Sequence, residues 1–337
     1  MIKDKKKLFD EYIFVCPDNE YSQIMWSDLK KASTITFFDS PTKINNKILK
    51  WINHAHFSFY INSYINLPFK GIWNSLYSIS SISFVEKRKY IIIFTDNSIA
   101  RIDYNYLHNL KQKYDITIAL LNLNTINKKE KLILKYFNLC DLIYSFDKGD
   151  ANNYNLVYYP YNYSKFLISK DYEQPNYDVI FIGNAKNRLS VIHKLFDVIE
   201  SNEYESVFYI SNVKEKEKKK KTTIHYNKWI SYRRVLDYVQ QSFCILEIVD
   251  ENQIGYTLRT FEAICYNKHL LTNNKSIINS KYYNPKYIHI FDSDSEIDLS
   301  FLKQETRADF NYNDDFSPLR FIDQISKDYE EMQYGDT

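Results

Sequence analysis

The sequence predicts an α/β chain built as two Rossmann-like domains facing across a cleft. Short apolar runs alternate with segments of helical period along most of its length, the pattern of parallel βαβ units. The 337 residues suit two packed domains, at about 100–200 residues each. Hydrophobic residues make up 45% and charged residues 26%, so each domain can bury a core of its own.

In the first half, Tyr12–Cys16, Thr34–Phe38, Tyr90–Thr95, Ile116–Leu121 and Leu142–Phe146 read as strands. Each is a short run rich in β-branched or aromatic side chains. Ile48–Phe59, Ile99–Lys113 and Lys128–Phe137 read as helices between them. Tyr158–Tyr177 holds Pro160 and Pro175 among polar residues and reads as the connection between domains.

The second half is clearer. Tyr177–Gly183 is a strand bounded by a proline and a glycine. Arg188–Glu200 follows with Leu189, Ile192, Leu195, Phe196 and Ile199 at helical spacing. Val207–Ile210 and Thr223–Tyr226 read as strands, with the polar run Lys214–Lys221 between them. Tyr232–Gln241 is a helix with Val235, Leu236 and Val239 on one side. Strand Phe243–Val249, helix Leu258–Tyr266 and strands His269–Thr272 and Tyr287–Phe291 complete the layer. Pro318–Met332 returns to helical spacing through Leu319, Phe321, Ile322, Ile325 and Tyr329. The expected domains are residues 1–160, braced by a terminal helix over 318–332, and residues 177–312.

Composition excludes several functions. Lys+Arg 44 against Asp+Glu 42 leaves a net charge of +2, without the basic excess of a nucleic-acid binder. The five glycines, Gly71, Gly149, Gly183, Gly255 and Gly335, cannot spell GxGxxG or a Walker A loop. The 31 tyrosines accompany abundant Ile, Asn and Lys, so they read as AT-rich coding bias and not as a stacking surface. Cys16, Cys140, Cys244 and Cys265 form no CxxC pair and sit in or beside apolar runs, which suits buried free thiols and not a zinc site. The apolar stretch in MIKDKKKLFDEYIFVC is too short for a signal peptide, and no run approaches the roughly 18 residues of a membrane span. The expected location is the cytoplasm.

In open parallel sheets, ligands bind beyond the carboxyl ends of the strands. The loops to inspect are therefore Pro17–Tyr21, Asp39–Thr42, Asp96–Ser98, Asp147–Asp150, Gly183–Arg188 and Asp250–Thr257. In the last, a glycine precedes a helix that opens LRTFEA. With Leu258, Phe261 and Cys265 on the buried face, Glu262 falls at its edge and Arg259 further round. An ionised carboxylate offers two acceptor oxygens to a ribose diol. Arg259, Gly255, Thr257 and the helix start suit a diphosphate. The same Arg259 and Glu262 read equally as an i,i+3 pair on a solvated face. Gly183, Asn184, Lys186 and Arg188 form a turn into a helix that suits a phosphate, with a plain βα turn as the alternative. Glu247 stands inside an apolar strand, which is costly unless it is paired, and Arg259 is the expected partner.

QIGYTLRTFEAICYNKHLLTNN (Gln253–Asn274) resembles the donor-site motif of the bacterial GT-B glycosyltransferases that build lipopolysaccharide, capsule and exopolysaccharide. SFDKGDANNYNLVYYPY (Ser145–Tyr161) and YDVIFIGNAKNRL (Tyr177–Leu189) are similar to further stretches of those proteins, so the resemblance spans Leu142–Asn274. It implies a GT-B fold and transfer of a sugar from a nucleoside-diphosphate donor to a glycan or lipid-linked oligosaccharide acceptor. It also implies that Glu262 binds the ribose. Many retaining members carry a second acid eight positions earlier; Ile254 stands there, which leaves the stereochemistry open. The donor is a substrate, and no further cofactor is implied.

The acceptor side is then the first domain, and an inverting transfer needs a base there. Asp96 in FTDN is the first candidate and Asp39 in FFDS the second. Asp147 and Asp150 lie near the connection, and any of these acids also reads as a cap or turn residue. His54 and His56, two apart on a helix, share no face and are not metal ligands. Asp292-Ser293-Asp294 has a metal-binding spelling but reads as a helix start, so no metal is expected. Lys214–Lys221 is a solvated loop or a contact with an anionic inner-membrane face. A nucleotide-sugar 2-epimerase and a noncatalytic glycan-binding or assembly protein are the rival functions.

Overall fold

The computed structural model describes residues 8–65, 67–126, 133–160, 162–168, 174–220, 222–249, 255–292, 297–303 and 306–334. The chain divides into two compact units, Met1–Ser164 with Ser317–Thr337, and Lys165–Phe316.

The first unit holds a six-stranded parallel sheet in the order β2-β1-β3-β4-β5-β6. Its strands are β1 Glu11–Val15, β2 Ile35–Phe38, β3 Tyr90–Thr95, β4 Ile116–Asn122, β5 Leu142–Ser145 and β6 Val157–Tyr158. β3 (YIIIFT) and β4 (ITIALLN) are buried at every residue, as central strands covered on both faces must be. The edge strands β2 and β6 are short, which limits the unpaired backbone on the rims.

Between the strands lie α1 Glu20–Met25, α2 Ser27–Lys31, α3 Lys47–His56, α4 Phe59–Tyr64, α5 Asp96–Ile99, α6 Tyr104–Lys113, α7 Leu134–Phe137 and α8 Lys148–Tyr154. The expected helix Ile99–Lys113 is thus two helices, and residues 127–132 of the expected helix Lys128–Phe137 lie outside the described residues. After the second unit, the chain re-enters the first as α12, Pro318–Tyr334. Phe321 and Ile325 are fully buried, at about 1.5–3 kcal/mol each. The Phe321 ring meets Tyr144 edge-on at 4.8 Å, and the Tyr144 hydroxyl donates to Asp328 at 2.7 Å.

The second unit repeats the plan in the order β12-β11-β10-β7-β8-β9, again all parallel. Its strands are β7 Tyr177–Asn184, β8 Ser206–Ser211, β9 His225–Tyr226, β10 Ser242–Glu247, β11 His269–Thr272 and β12 Ile288–Ile290. Helices α9 Leu189–Ser201, α10 Tyr232–Gln240 and α11 Leu258–Cys265 cover them. α9 buries Ile192, Leu195, Phe196 and Ile199, four of the five residues that its sequence period singles out; Leu189, at its start, is half-buried. Among the described residues no helix is long and apolar enough to cross a membrane.

Candidate functional site

Strand order locates the ligand end of the second unit. β7 is followed in sequence by β8 on one side, while its other neighbour is β10. The connections therefore part between β7 and β10, and such a switch point opens a crevice beyond the strand ends. Two segments flank it: Ala185–Arg188, between β7 and α9, and the segment from Ile248 to Thr257, of which 250–254 lie outside the described residues.

On the β7 side, Gly183 is the penultimate residue of the strand, paired with Ile210, and is not part of the loop. A Cβ on it would press on the tip of the Phe181 ring at 3.1 Å, so any other residue would require that ring to shift. Lys186 has a left-handed backbone, φ 42°, and its N–H is held by the Asn184 side chain at 3.0 Å; its own side chain is exposed. Arg188 was expected as a phosphate ligand. Its guanidinium instead donates to the main-chain carbonyls of Ile248 and of Asn184, the latter at 2.9 Å. It ties the carboxyl ends of β7 and β10 together, which makes it a brace of the crevice.

On the β10 side, Gly255 has φ 126° and open space where a Cβ would stand. Only glycine enters that region without strain. Its carbonyl is held by the Asn274 amide at 2.9 Å. Thr257 caps α11, accepting from the Arg259 N–H at 3.0 Å.

Glu247 ends β10 and is buried. Its expected ion pair with Arg259 is not formed. One carboxylate oxygen accepts from the hydroxyls of Thr257 and of Thr260 (2.7 Å), the other from Thr272 at 2.6 Å. Thr272 lies directly beside Glu247 in the sheet register, so strand pairing itself supplies that donor. Three short hydroxyl donors offset the desolvation of the charge, where one guanidinium had been expected.

Arg259 is paired with Glu262, Nη1 to Oε2 at 2.6 Å. This is the i,i+3 pair of the plainer sequence reading, but it is not on a solvated face. Glu262 is 0% exposed and Arg259 15%. Helix α11 is buried from Thr260 through Cys265, so Glu262 lies inside and not at the edge of an apolar stripe. Oε1 accepts from the Tyr232 hydroxyl at 2.9 Å, joining the first residue of α10 to α11. Oε2 and Nη1 are close but not aligned as a hydrogen bond, and among the described residues neither atom has a hydrogen-bond partner. The contact is electrostatic, and a lone pair of a buried carboxylate is left over. Burial pushes the Glu262 carboxyl up from its ordinary value, Arg259 and Tyr232 oppose this, and the charge of nearby Glu247 adds to it. Tyr232 was not singled out in the sequence; its place at the start of a helix leading into β10 is the signal that would have found it.

In the first unit the strand order parts between β1 and β3. Asp96 stands at the end of β3, buried, and accepts from the Asn97 N–H (2.7 Å), the Leu123 N–H (3.2 Å) and the Asn124 amide (2.7 Å). It joins the ends of β3 and β4, and burial raises its carboxyl above the ordinary range. Asp39 follows β2, is exposed, and meets Lys30 at 3.4 Å. With β1 between their strands, the two acids stand about 10 Å apart at the sheet and share no site. Asp147 caps α8 through the Asp150 N–H at 2.8 Å, and Asp150 accepts from the Ile126 N–H at 2.7 Å. Trp73 Nε1–H donates to His56 Nδ1 at 2.9 Å and His56 Nε2 meets the Pro68 carbonyl at 2.7 Å, so His56 is structural. Among the described residues no cluster of His, Cys, Asp and Glu is arranged to hold a metal.

No family model and no curated protein matches the chain. Solved structures do. A protein of Listeria monocytogenes, itself a candidate UDP-N-acetylglucosamine 2-epimerase, aligns over 95% of this chain and 97% of its own at 12% identity and a TM-score of 0.50. The UDP-GlcNAc 2-epimerase of Methanocaldococcus jannaschii, in complex with UDP-GlcNAc and UDP, covers 94% and 99% at 12% identity and TM-score 0.47. An α,α-trehalose-phosphate synthase (UDP-forming) of Burkholderia vietnamiensis covers 80% and 86% at 9% identity and TM-score 0.49. The first shows a shared fold and no more; the other two carry no weight. The fold class is the expected one, two Rossmann-like domains of the GT-B kind.

Proposed function

We propose that the chain is a glycosyltransferase that takes a sugar from a nucleoside-diphosphate donor and passes it to a glycan or lipid-linked acceptor in bacterial surface-polysaccharide synthesis. The observation that carries the reading is the state of Glu262 Oε2: a buried carboxylate oxygen beside a guanidinium, one helical turn below the α11 N-terminus, with no hydrogen donor of its own. Buried acceptors in folded proteins are nearly always satisfied by protein groups or by water, so an exception is a place where a ligand donor would gain. A ribose hydroxyl is a donor of the right kind. The resemblance of Gln253–Asn274 to a donor-site motif points to the same residue.

On this reading donor binding uncovers Glu262, which is fully buried without it, and its carboxylate accepts from the ribose, with Tyr232 holding its other oxygen in place. Arg259, the open backbone at Gly255 and Thr257, and the α11 N–H groups face the diphosphate, and Lys186 and Asn184 border it from the β7 side. These cations and dipoles would stabilise the leaving diphosphate without a metal. Asp96 is preferred to Asp39 as the base, because it stands at the end of β3, at the switch point of its own sheet.

The test is calorimetry with UDP, GDP, ADP and dTDP, followed by incubation with the matching nucleotide sugars. One nucleotide should bind, and Glu262→Gln should weaken it at least tenfold, about 1.4 kcal/mol. Nucleotide release that requires an acceptor supports transfer. Sugar interconversion without acceptor would establish the 2-epimerase instead, and binding without turnover a noncatalytic protein. Failure of all four nucleotides to bind would remove the proposal.

A further inference from the structure

Helix α3 is inverted. Ile48, Trp51, Ile52 and Ala55 share one arc at positions i, i+3, i+4 and i+7, the usual apolar stripe of a packed helix. The side chain that α3 buries is nevertheless Asn53, 1% exposed, while Ile48 and Trp51 are 70% and 72% exposed. The exposed apolar surface continues past the helix. Tyr60 and Tyr64 of α4, with ring centroids 5.4 Å apart, and then Ile65, Phe69 and Ile72 all face water. Single exposed apolar residues are ordinary, but a contiguous series of large ones marks an interaction surface.

Charge says what the surface meets. From Ser40 to Val85 there is no Asp or Glu, although a stretch of that length would carry about six at the chain's average of 42 in 337. Four lysines lie in it, Lys43, Lys47, Lys50 and Lys70. Lys50 meets Asp18 from the loop after β1, Lys70 donates to Asn62 at 2.8 Å, and Lys43 and Lys47 are exposed. Arg101 adds a further cation beside His54, at 2.5 Å. Lysine is depleted at protein–protein interfaces, whereas Trp and Tyr bodies with lysine tips are the side chains of a membrane–water boundary. We propose that the exposed apolar side chains of α3, α4 and the 3₁₀ turn Lys70–Leu76, beside the carboxyl ends of β1 and β3, dock on an anionic lipid bilayer, with Trp51 and Phe69 inserted. The basic run Lys214–Lys221, singled out in the sequence for such a contact, holds no apolar side chain, and two of its lysines, Lys218 and Lys219, are answered by Glu215 and Asp197.

This inference is independent of the nucleotide reading. The experiment is flotation of the full chain with vesicles of phosphatidylcholine alone or with about 40 mol% phosphatidylglycerol, at low and high salt. Partition onto the anionic vesicles should exceed that onto neutral ones at least tenfold and weaken with salt. Ile48→Glu with Trp51→Glu should lower it at least tenfold with an unchanged melting temperature, since both sites are exposed. Trp51→Phe should retain binding while removing most of the fluorescence quenching by brominated lipid. Lys218→Gln with Lys220→Gln should leave partition within twofold. Equal, weak association with both vesicles would overturn the proposal. So would loss of binding in the Lys218/Lys220 variant alone, or a dimer in the absence of lipid that Ile48→Glu and Trp51→Glu dissolve.

Discussion

Replacing Glu262 by Gln separates charge from shape. The amide fits the same space and still accepts from Tyr232, but it cannot balance Arg259, whose side chain is 15% exposed. Removing one partner of a buried ion pair costs about 3–5 kcal/mol because the other charge stays behind. The remaining contact of Arg259 with water puts the change at the low end, about 3 kcal/mol. A two-unit chain need not unfold in one step, so a single melting temperature would blur the effect. Amide hydrogen exchange of the peptide covering α11 reads it locally: loss of about 3 kcal/mol accelerates exchange by roughly a hundredfold. Adding Arg259→Met removes the stranded cation and should restore most of the protection, since an apolar pair fills the same site at little cost. Exchange within threefold of the parent in Glu262→Gln, or further acceleration in the double variant, would refute the reasoning.

Three other outcomes are expected. His289 stacks on Phe301 with centroids 3.6 Å apart and meets His269 at 3.1 Å, and burial lowers it to about 4. The unfolded chain therefore takes up this proton first on acidification, and, with its partial contact with solvent allowed for, about 1–2 kcal/mol of stability is lost as pH falls from about 6.5 to about 4; His289→Gln should flatten that limb of a urea-midpoint profile. Asp96→Asn should cost about 1–3 kcal/mol, because an amide group then faces buried N–H donors. It should also remove the dependence that a raised carboxyl imposes, stability falling as pH rises from the ordinary carboxylate value through the native one, as followed by thermal melts of the variant across that range. Burial holds Cys16 up at about 12 and also raises Cys140, Cys244 and Cys265, so a thiol reagent at neutral pH should label the native chain slowly and all four cysteines once it is unfolded.

The strands were legible because parallel strands buried on both faces must be continuous apolar runs, and YIIIFT and ITIALL admit little else. α9 and α12 were legible from their period. α1 and α2, Glu20–Lys31, were not: Ile24, Met25 and Leu29 are too few and too unevenly spaced to declare a helix. α8 was passed over because KGDANNY has no apolar stripe; its start is fixed by the Asp147 cap. Ile48–Phe59 was read as a helix, but an apolar stripe says which side of a helix is apolar and not whether anything covers it. The depth of Glu262 was hidden for the related reason that α11 is enclosed on nearly all sides, so a single stripe misplaces its boundary.

Glu247 and Glu262 show why burial alone does not identify a functional acid. Both are removed from water in the same unit, near enough for the charge of one to raise the other. Glu247 recovers its hydration from three threonine hydroxyls on β10's own neighbours, and its lone pairs have little left to offer a ligand. Glu262 has one hydroxyl and one misaligned cation, so a second donor would still gain by arriving. The difference lies in the number of donors that the surrounding elements deliver, and that number depends on strand register and helix phase. Neither can be read from the residue itself. A carboxylate held in an apolar strand was the more conspicuous anomaly in the sequence, yet the one on the helix is the acid that its own surroundings answer less completely.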